Sequence, residues 1–159
     1  LMMAENLKNG LAEYINNPYL VEEIEDKYKD LEYEISKLDA SLTEAVSGAN
    51  YKVIVVDNDM FRYLEKYGLK VISLEENKDL SSNKIEEVKN LIQDKQIKYI
   101  YSTSSKSNET VSGLIDEYHL DLVPINTMHS TDGNITSSND NYLTIMTNNI
   151  NQLKKELYK

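Results

Sequence analysis

Four short apolar runs, 52–56 (KVIVV), 70–74 (KVISL), 97–101 (IKYIY) and 121–125 (DLVPI), alternate with helix-patterned pieces at about 59–67, 82–95 and 107–119. No other feature narrows the fold as much. Each run is strand-sized, and the connections between runs are too long for tight hairpins. Strands joined through helices pair in parallel by right-handed crossovers, and the helices cover both faces of the sheet. The spacing therefore predicts an α/β fold with a four-stranded parallel sheet flanked by helices over residues 51–125. Ile85, Val88, Leu91 and Ile92 share one face of the second helix, with Ser82 or Asn83 as its N-cap. Pro124 has no N–H to give a ladder, which suits an edge strand or an early exit from the sheet.

Upstream of residue 50 the period is helical throughout. Residues 2–15 carry one apolar pattern, which Asn16-Asn17-Pro18 breaks. Val21, Ile24, Tyr28, Leu31, Ile35, Leu38, Leu42 and Ala45 then follow at steps of three and four. That stripe predicts one continuous helix over Val21–Ala45, about 25 residues and roughly 38 Å long. Ser47-Gly48-Ala49-Asn50 ends it. Such a stripe suits either a coiled coil with another chain or packing within the chain's own domain. The second fits better, because Tyr19 and Tyr33 fall off the stripe and the polar faces lack a matched charge scheme. Residues 127–141, with Asp132-Gly133, read as a mobile surface loop. A last helix over about 141–157 places Leu143, Met146, Ile150, Leu153 and Leu157 on one side.

Charge removes several function classes. With 27 Asp and Glu against 17 Lys and Arg, the 159-residue chain carries a formal net charge of −10. Nucleic-acid binding needs the opposite footprint, and so does adhesion to anionic lipid through a basic patch. There is no cysteine, hence no disulfide framework, thiolate nucleophile or cysteine zinc site. No apolar run reaches membrane-spanning length, and no signal peptide is seen. The opening Leu1-Met2-Met3-Ala4 runs straight into a helical pattern and reads like a cut through a longer protein. No Gly-x-Ser-x-Gly, phosphate-binding glycine loop or dinucleotide fingerprint occurs, so no enzyme is expected. The Ser/Thr-rich turn 102–107 could accept an anion, but no arginine or glycine makes it specific.

Ligands of open parallel sheets gather outside the carboxyl ends of the strands. Three such ends are polar here: Asp57-Asn58-Asp59, Ser102-Thr103-Ser104-Ser105, and Asn126-Thr127. Asp57, Asn58 and Asp59 also suit the capping of the helix that follows. Of the two histidines, His119 ends a helix, where a cation favours the dipole, and His129 falls in the surface loop.

The run Phe61-Arg-Tyr-Leu-Glu-Lys-Tyr67-Gly68-Leu69 resembles the carboxy-terminal lobe of the metal-binding proteins that feed zinc and manganese ABC transporters. Tyr142, Met146 and Asn149 are similar to that family's "Y-x-x-x-M-x-x-N" ending. The resemblance implies residues 1–48 as a helical segment including the inter-lobe backbone helix, and 49–159 as the carboxy-terminal α/β lobe. The amino-terminal lobe would lie outside this chain. It implies metal ligands at Asn58 and Asn126, with Thr103 at about the position of a nearby glutamate. Amides are weak, uncharged donors for a first-row metal, so those ligands would be altered; Asp57, Asp59 and His129 are the candidates to replace them.

It further implies zinc or manganese as the metal of the full-length protein, with no cofactor assigned to this chain itself, and the missing amino-terminal lobe and a membrane permease as partners. The location would be extracytoplasmic, on a lipid-anchored cell-surface protein. A homodimer through residues 2–45 is the expected self-association. A metal-free adhesion or interaction module on the same fold is the alternative. A receiver-like domain is disfavoured because the third strand ends in Ser102-Thr103 rather than in an aspartate.

Overall fold

Asn17 divides the helical half of the chain. Its side-chain oxygen accepts from the backbone N–H groups of Tyr19 (3.1 Å) and Leu20 (3.4 Å). Pro18 takes the first helical position, where a missing N–H costs nothing. Helix α1 (Met2–Tyr14) ends before this cap, and α2 (Pro18–Ser47) runs unbroken for 30 residues beyond it. The computed structural model describes residues 1–77, 79–103, 107–128 and 141–159. These fall into two compact units, Leu1–Ser41 and Leu42–Lys159. In the first, the Lys8 ammonium lies 5.0 Å from the centre of the Tyr28 ring. No residue of α1 is fully buried.

The second unit continues from the end of α2 through β1 (Val53–Val56), a 3-10 helix (Asp59–Tyr67), β2 (Lys70–Ser73), α3 (Ser82–Gln93), β3 (Tyr99–Ser102), α4 (Glu109–Tyr118), β4 (Asp121–Pro124) and α5 (Tyr142–Leu157). Every strand pair is parallel, and the order is β2-β1-β3-β4. The expected parallel four-stranded sheet is therefore present. Pro124 lies on edge strand β4, paired with Ser102.

Three local expectations change. The third strand runs 99–102, drawing Ser102 into the ladder. The N-cap of α3 is Ser81, whose hydroxyl accepts from Lys84 N–H at 3.3 Å. Segment 59–67 winds as a 3-10 helix, in which every third residue stacks. Its buried side chains, Phe61 and Leu64, are three apart, so the tighter coil keeps both on the core. Gly68 closes it at φ 92°, in left-handed backbone that disfavours a side chain.

Side chains alternate across the sheet. One face sends Val55, Ile72, Leu74 and Ile100 into a core with Val88 and Ile92 of α3, Val111 and Leu114 of α4, and Leu120. On the other face lies α5. The buried Tyr101 donates its hydroxyl to the carbonyl oxygens of Gln152 (3.1 Å) and Leu153 (3.2 Å). Fully buried Glu156 accepts from the N–H groups of Lys98 (3.1 Å) and Tyr99 (2.9 Å) and pairs with the Lys159 ammonium. Tyr158 OH donates to Ala45 O at 2.7 Å, fastening α5 to the end of α2. Each large aliphatic side chain buried in these layers contributes about 1.5–3 kcal/mol.

Candidate functional site

The strand order places a topological switch point between β1 and β3. From β1 the chain moves outward to β2, then returns to the far side of β1 for β3. Crevices outside the carboxyl ends of strands form at such points. Register brings the polar ends together: Val56 pairs with Tyr101, and Tyr101 with Val123. Asp57, Ser102 and Pro124 thus share the next row, and Asn126 follows beyond β4. With strands about 4.8 Å apart, β1 and β4 are roughly 10 Å apart across β3.

Asp57 closes the switch point. Its N–H continues the ladder to Tyr101 O (2.9 Å), and its carboxylate accepts from the Ser102 hydroxyl (2.5 Å) and Thr103 N–H (3.2 Å). Burial raises its pKa above the ordinary carboxylate value; the Ser102 and Thr103 hydrogen bonds oppose the rise, and the nearby Glu75 charge adds to it.

Asn58 is the N-cap of the 3-10 helix, its side-chain oxygen accepting from Met60 N–H at 2.8 Å. Asp59 is turned toward the end of β2. Its N–H donates to a Glu75 carboxylate oxygen (2.8 Å), and its own carboxylate accepts from the Asn77 amide (3.0 Å). Of the three residues predicted to cap this helix, Asn58 makes the capping bond.

Across β3, the Asn126 side-chain oxygen accepts from Met128 N–H at 2.7 Å, and Met128 takes a left-handed φ of 58°. The Asn126 backbone is held from α5: its N–H donates to Asn149 Oδ1 (3.0 Å) and its carbonyl accepts from Asn149 Nδ2 (2.7 Å). His119 caps α4 in left-handed backbone and leads into β4, so it lies at the opposite, amino end of the sheet. His129, Ser104, Ser105 and the Asp132-Gly133 turn lie outside the described residues. Among the described residues no three His, Asp or Glu side chains gather where they could hold a metal ion. None of the described helices is long and apolar enough to cross a membrane.

Three contacts at this edge escaped the sequence reading, those of Glu75, Asn77 and Asn149, the last having been named only as part of the family-like ending. The first two belong to a loop whose composition alone assigns no partner. Asn149 did leave a trace. It lies at helical spacing from Ile145 and Leu153, a polar residue in line with the buried stripe of α5. Ile145 takes the buried place expected for Leu143 and Met146, which are only half-buried.

The family model described as zinc-uptake complex component A, periplasmic, matches residues 1–156. The zinc-binding lipoprotein AdcA of Streptococcus pneumoniae is 24% identical over 98% of this chain, which spans 31% of that protein. The crystal structure of the Zn(II)-bound ZnuA-like domain of Streptococcus pneumoniae AdcA superposes with a TM-score of 0.72 at 23% identity, over 98% of this chain and 59% of that one. The metal-dependent lipoprotein YcdH from Bacillus subtilis gives a TM-score of 0.76 at 21% identity, with the same two coverages. At these identities the structural likeness speaks for the fold.

Proposed function

Because the chain belongs to the family of zinc-uptake complex component A, we propose that it is the carboxy-terminal lobe of an extracytoplasmic solute-binding protein serving a metal-ion ABC transporter. In this reading residues 1–48 are the helical segment with the inter-lobe backbone helix, and residues 49–159 are the lobe itself. The chain spans 59% of the two solved relatives, which leaves room for an amino-terminal lobe in the intact protein. The solute would be held between the lobes and passed to a membrane permease without chemical change. A lipid-anchored position outside the cytoplasm follows from the same reading.

The observation that carries it is the carboxyl edge of the sheet, where Asn58 and Asn126 flank β3 beside the switch point. These are the two places at which the family resemblance puts metal ligands. Here both are amides, and each side-chain oxygen already accepts a backbone N–H, from Met60 and Met128 respectively. An uncharged oxygen with one lone pair engaged holds a first-row cation poorly. This favours a lobe that contributes little affinity for its metal cargo, and it supports a second reading as a metal-free adhesion or interaction module on the same fold.

Calorimetric titration of the chain with Zn2+ and Mn2+ tests the proposal. Binding no tighter than that of an acidic protein surface is expected. A stoichiometric site of sub-micromolar affinity would overturn the amide reading and direct attention to Asp57, Asp59 or His129.

A further inference from the structure

We infer that Asn149 is a positioning residue: from α5 it sets the backbone of residue 126, and so the direction in which the side chain there leaves the carboxyl edge. The inference rests on the proposed role of that edge. Asn149 is 5% exposed and spends its acceptor and a donor on the N–H and carbonyl of one residue, Asn126. Its donor also faces Met146 Sδ at 3.6 Å.

The regular ladder of β4 ends just before this point. Ile125 N–H donates to Ser102 O (2.9 Å), the last ladder bond of β4 among the described residues. Beyond it, Asn149 holds both backbone groups of residue 126. Asn126 is itself exposed, so its backbone groups could be hydrated instead. Burying an amide there carries a desolvation cost that hydration would avoid. What the contact adds over water is a fixed geometry.

The anchor is itself fixed. Asn149, Leu153 and Glu156 follow one face of α5 at steps of four and three. The Leu153 carbonyl is bonded by Tyr101 OH, and the Glu156 carboxylate by Lys98 and Tyr99 N–H. The helix that carries Asn149 is therefore registered against β3 independently of residue 126. Beyond Asn126 the backbone is forced as well: Met128, a non-glycine residue, adopts a φ of 58°, a conformation that persists only when its surroundings over-determine it.

Amide hydrogen exchange in metal-free buffer tests this, with Asn149→Leu and Asn149→Asp compared to the native chain. In Asn149→Leu, protection at Asn126 should fall about tenfold, the scale of one lost hydrogen bond. Val55 and Ile100 should change only as much as global stability does. Asn149→Asp supplies the control for a helix that merely packs worse. Its ionised carboxylate can still accept the Asn126 N–H but sets its second oxygen against the Asn126 carbonyl and pushes residue 126 away, whereas its protonated carboxyl donates to that carbonyl as the native amide does. Protection at Asn126 should therefore return as the pH is lowered. A loss shared evenly with Val55 and Ile100, or a pH-independent Asn149→Asp, would overturn the inference. No metal enters the measurement, so it can fail while the ligand-position reading stands, and the zinc titration can fail while this stands.

Discussion

The Ser102 hydroxyl donates to the Asp57 carboxylate at 2.5 Å, joining the ends of β1 and β3 where the strand order reverses. In open parallel sheets this is where ligands enter. Here the gap is spanned by the protein's own side chains, with Thr103 N–H as a second donor to the same carboxylate.

A pH dependence follows from Asp57. Burial raises its folded-state pKa above the ordinary value of 3.8, so the folded chain binds this proton more tightly than the unfolded chain. Its contribution to stability is fully present below the ordinary value and is lost as pH rises through the raised one. Melting temperatures of Asp57→Asn and the native chain should therefore diverge across that window, the variant gaining relative stability as pH increases. A difference that stays flat or shrinks with rising pH contradicts the assignment. Ser102→Ala, which removes a buried donor to a charged acceptor, should cost about 1.5–3 kcal/mol.

The amides at 58 and 126 make a prediction about restored metal binding. Asn58→His with Asn126→Asp supplies an imidazole and a carboxylate, two donors that zinc favours. Affinity for Zn2+ should rise only in a protein that also carries the amino-terminal lobe, since two ligands leave a tetrahedral site half filled. Calorimetry on both forms checks this, and a tight site in the doubly substituted lobe alone would refute it.

Glu156 predicts a large stability effect far from the carboxyl edge. It is fully buried and accepts from Lys98 and Tyr99 N–H while pairing with the Lys159 ammonium. Glu156→Leu removes every acceptor at once and should cost about 3–5 kcal/mol. Glu156→Gln keeps one oxygen and should cost less. Urea midpoints rank the two, and equal midpoints would mean that the carboxylate merely fills space.

Helix α1 predicts self-association. Met2, Met3, Leu7, Leu11 and Tyr14 are all exposed, and apolar side chains gathered on a surface mark an interaction site. Covering several of them contributes about 1.5–3 kcal/mol each. Sedimentation at micromolar concentration should show a dimer that Leu7→Glu and Leu11→Glu together abolish. A native chain that stays monomeric across that range removes the proposal.

The sequence by itself determined the elements and their layering. The three-four stripe from Val21 to Ala45 specified one helix, and the apolar runs separated by helical pieces specified parallel pairing. Asn58 announced a helix start because a cap is a contact within three residues, and spacing along the chain carries such contacts directly. What only the tertiary structure decided is which polar groups meet. Asp57 reaches Ser102 across 45 positions, Asn149 reaches Asn126 across 23, and Glu156 reaches Tyr99 across 57. These partners are chosen by strand order and by the turn of α5 over β3, which no local pattern encodes. The winding of residues 59–67 was decided the same way, because Phe61 and Leu64 had to meet one core. Local free energy fixes helices, strands and caps; the pinning of the sheet's carboxyl edge arises only when distant segments bury their polar groups against one another and each must find a partner.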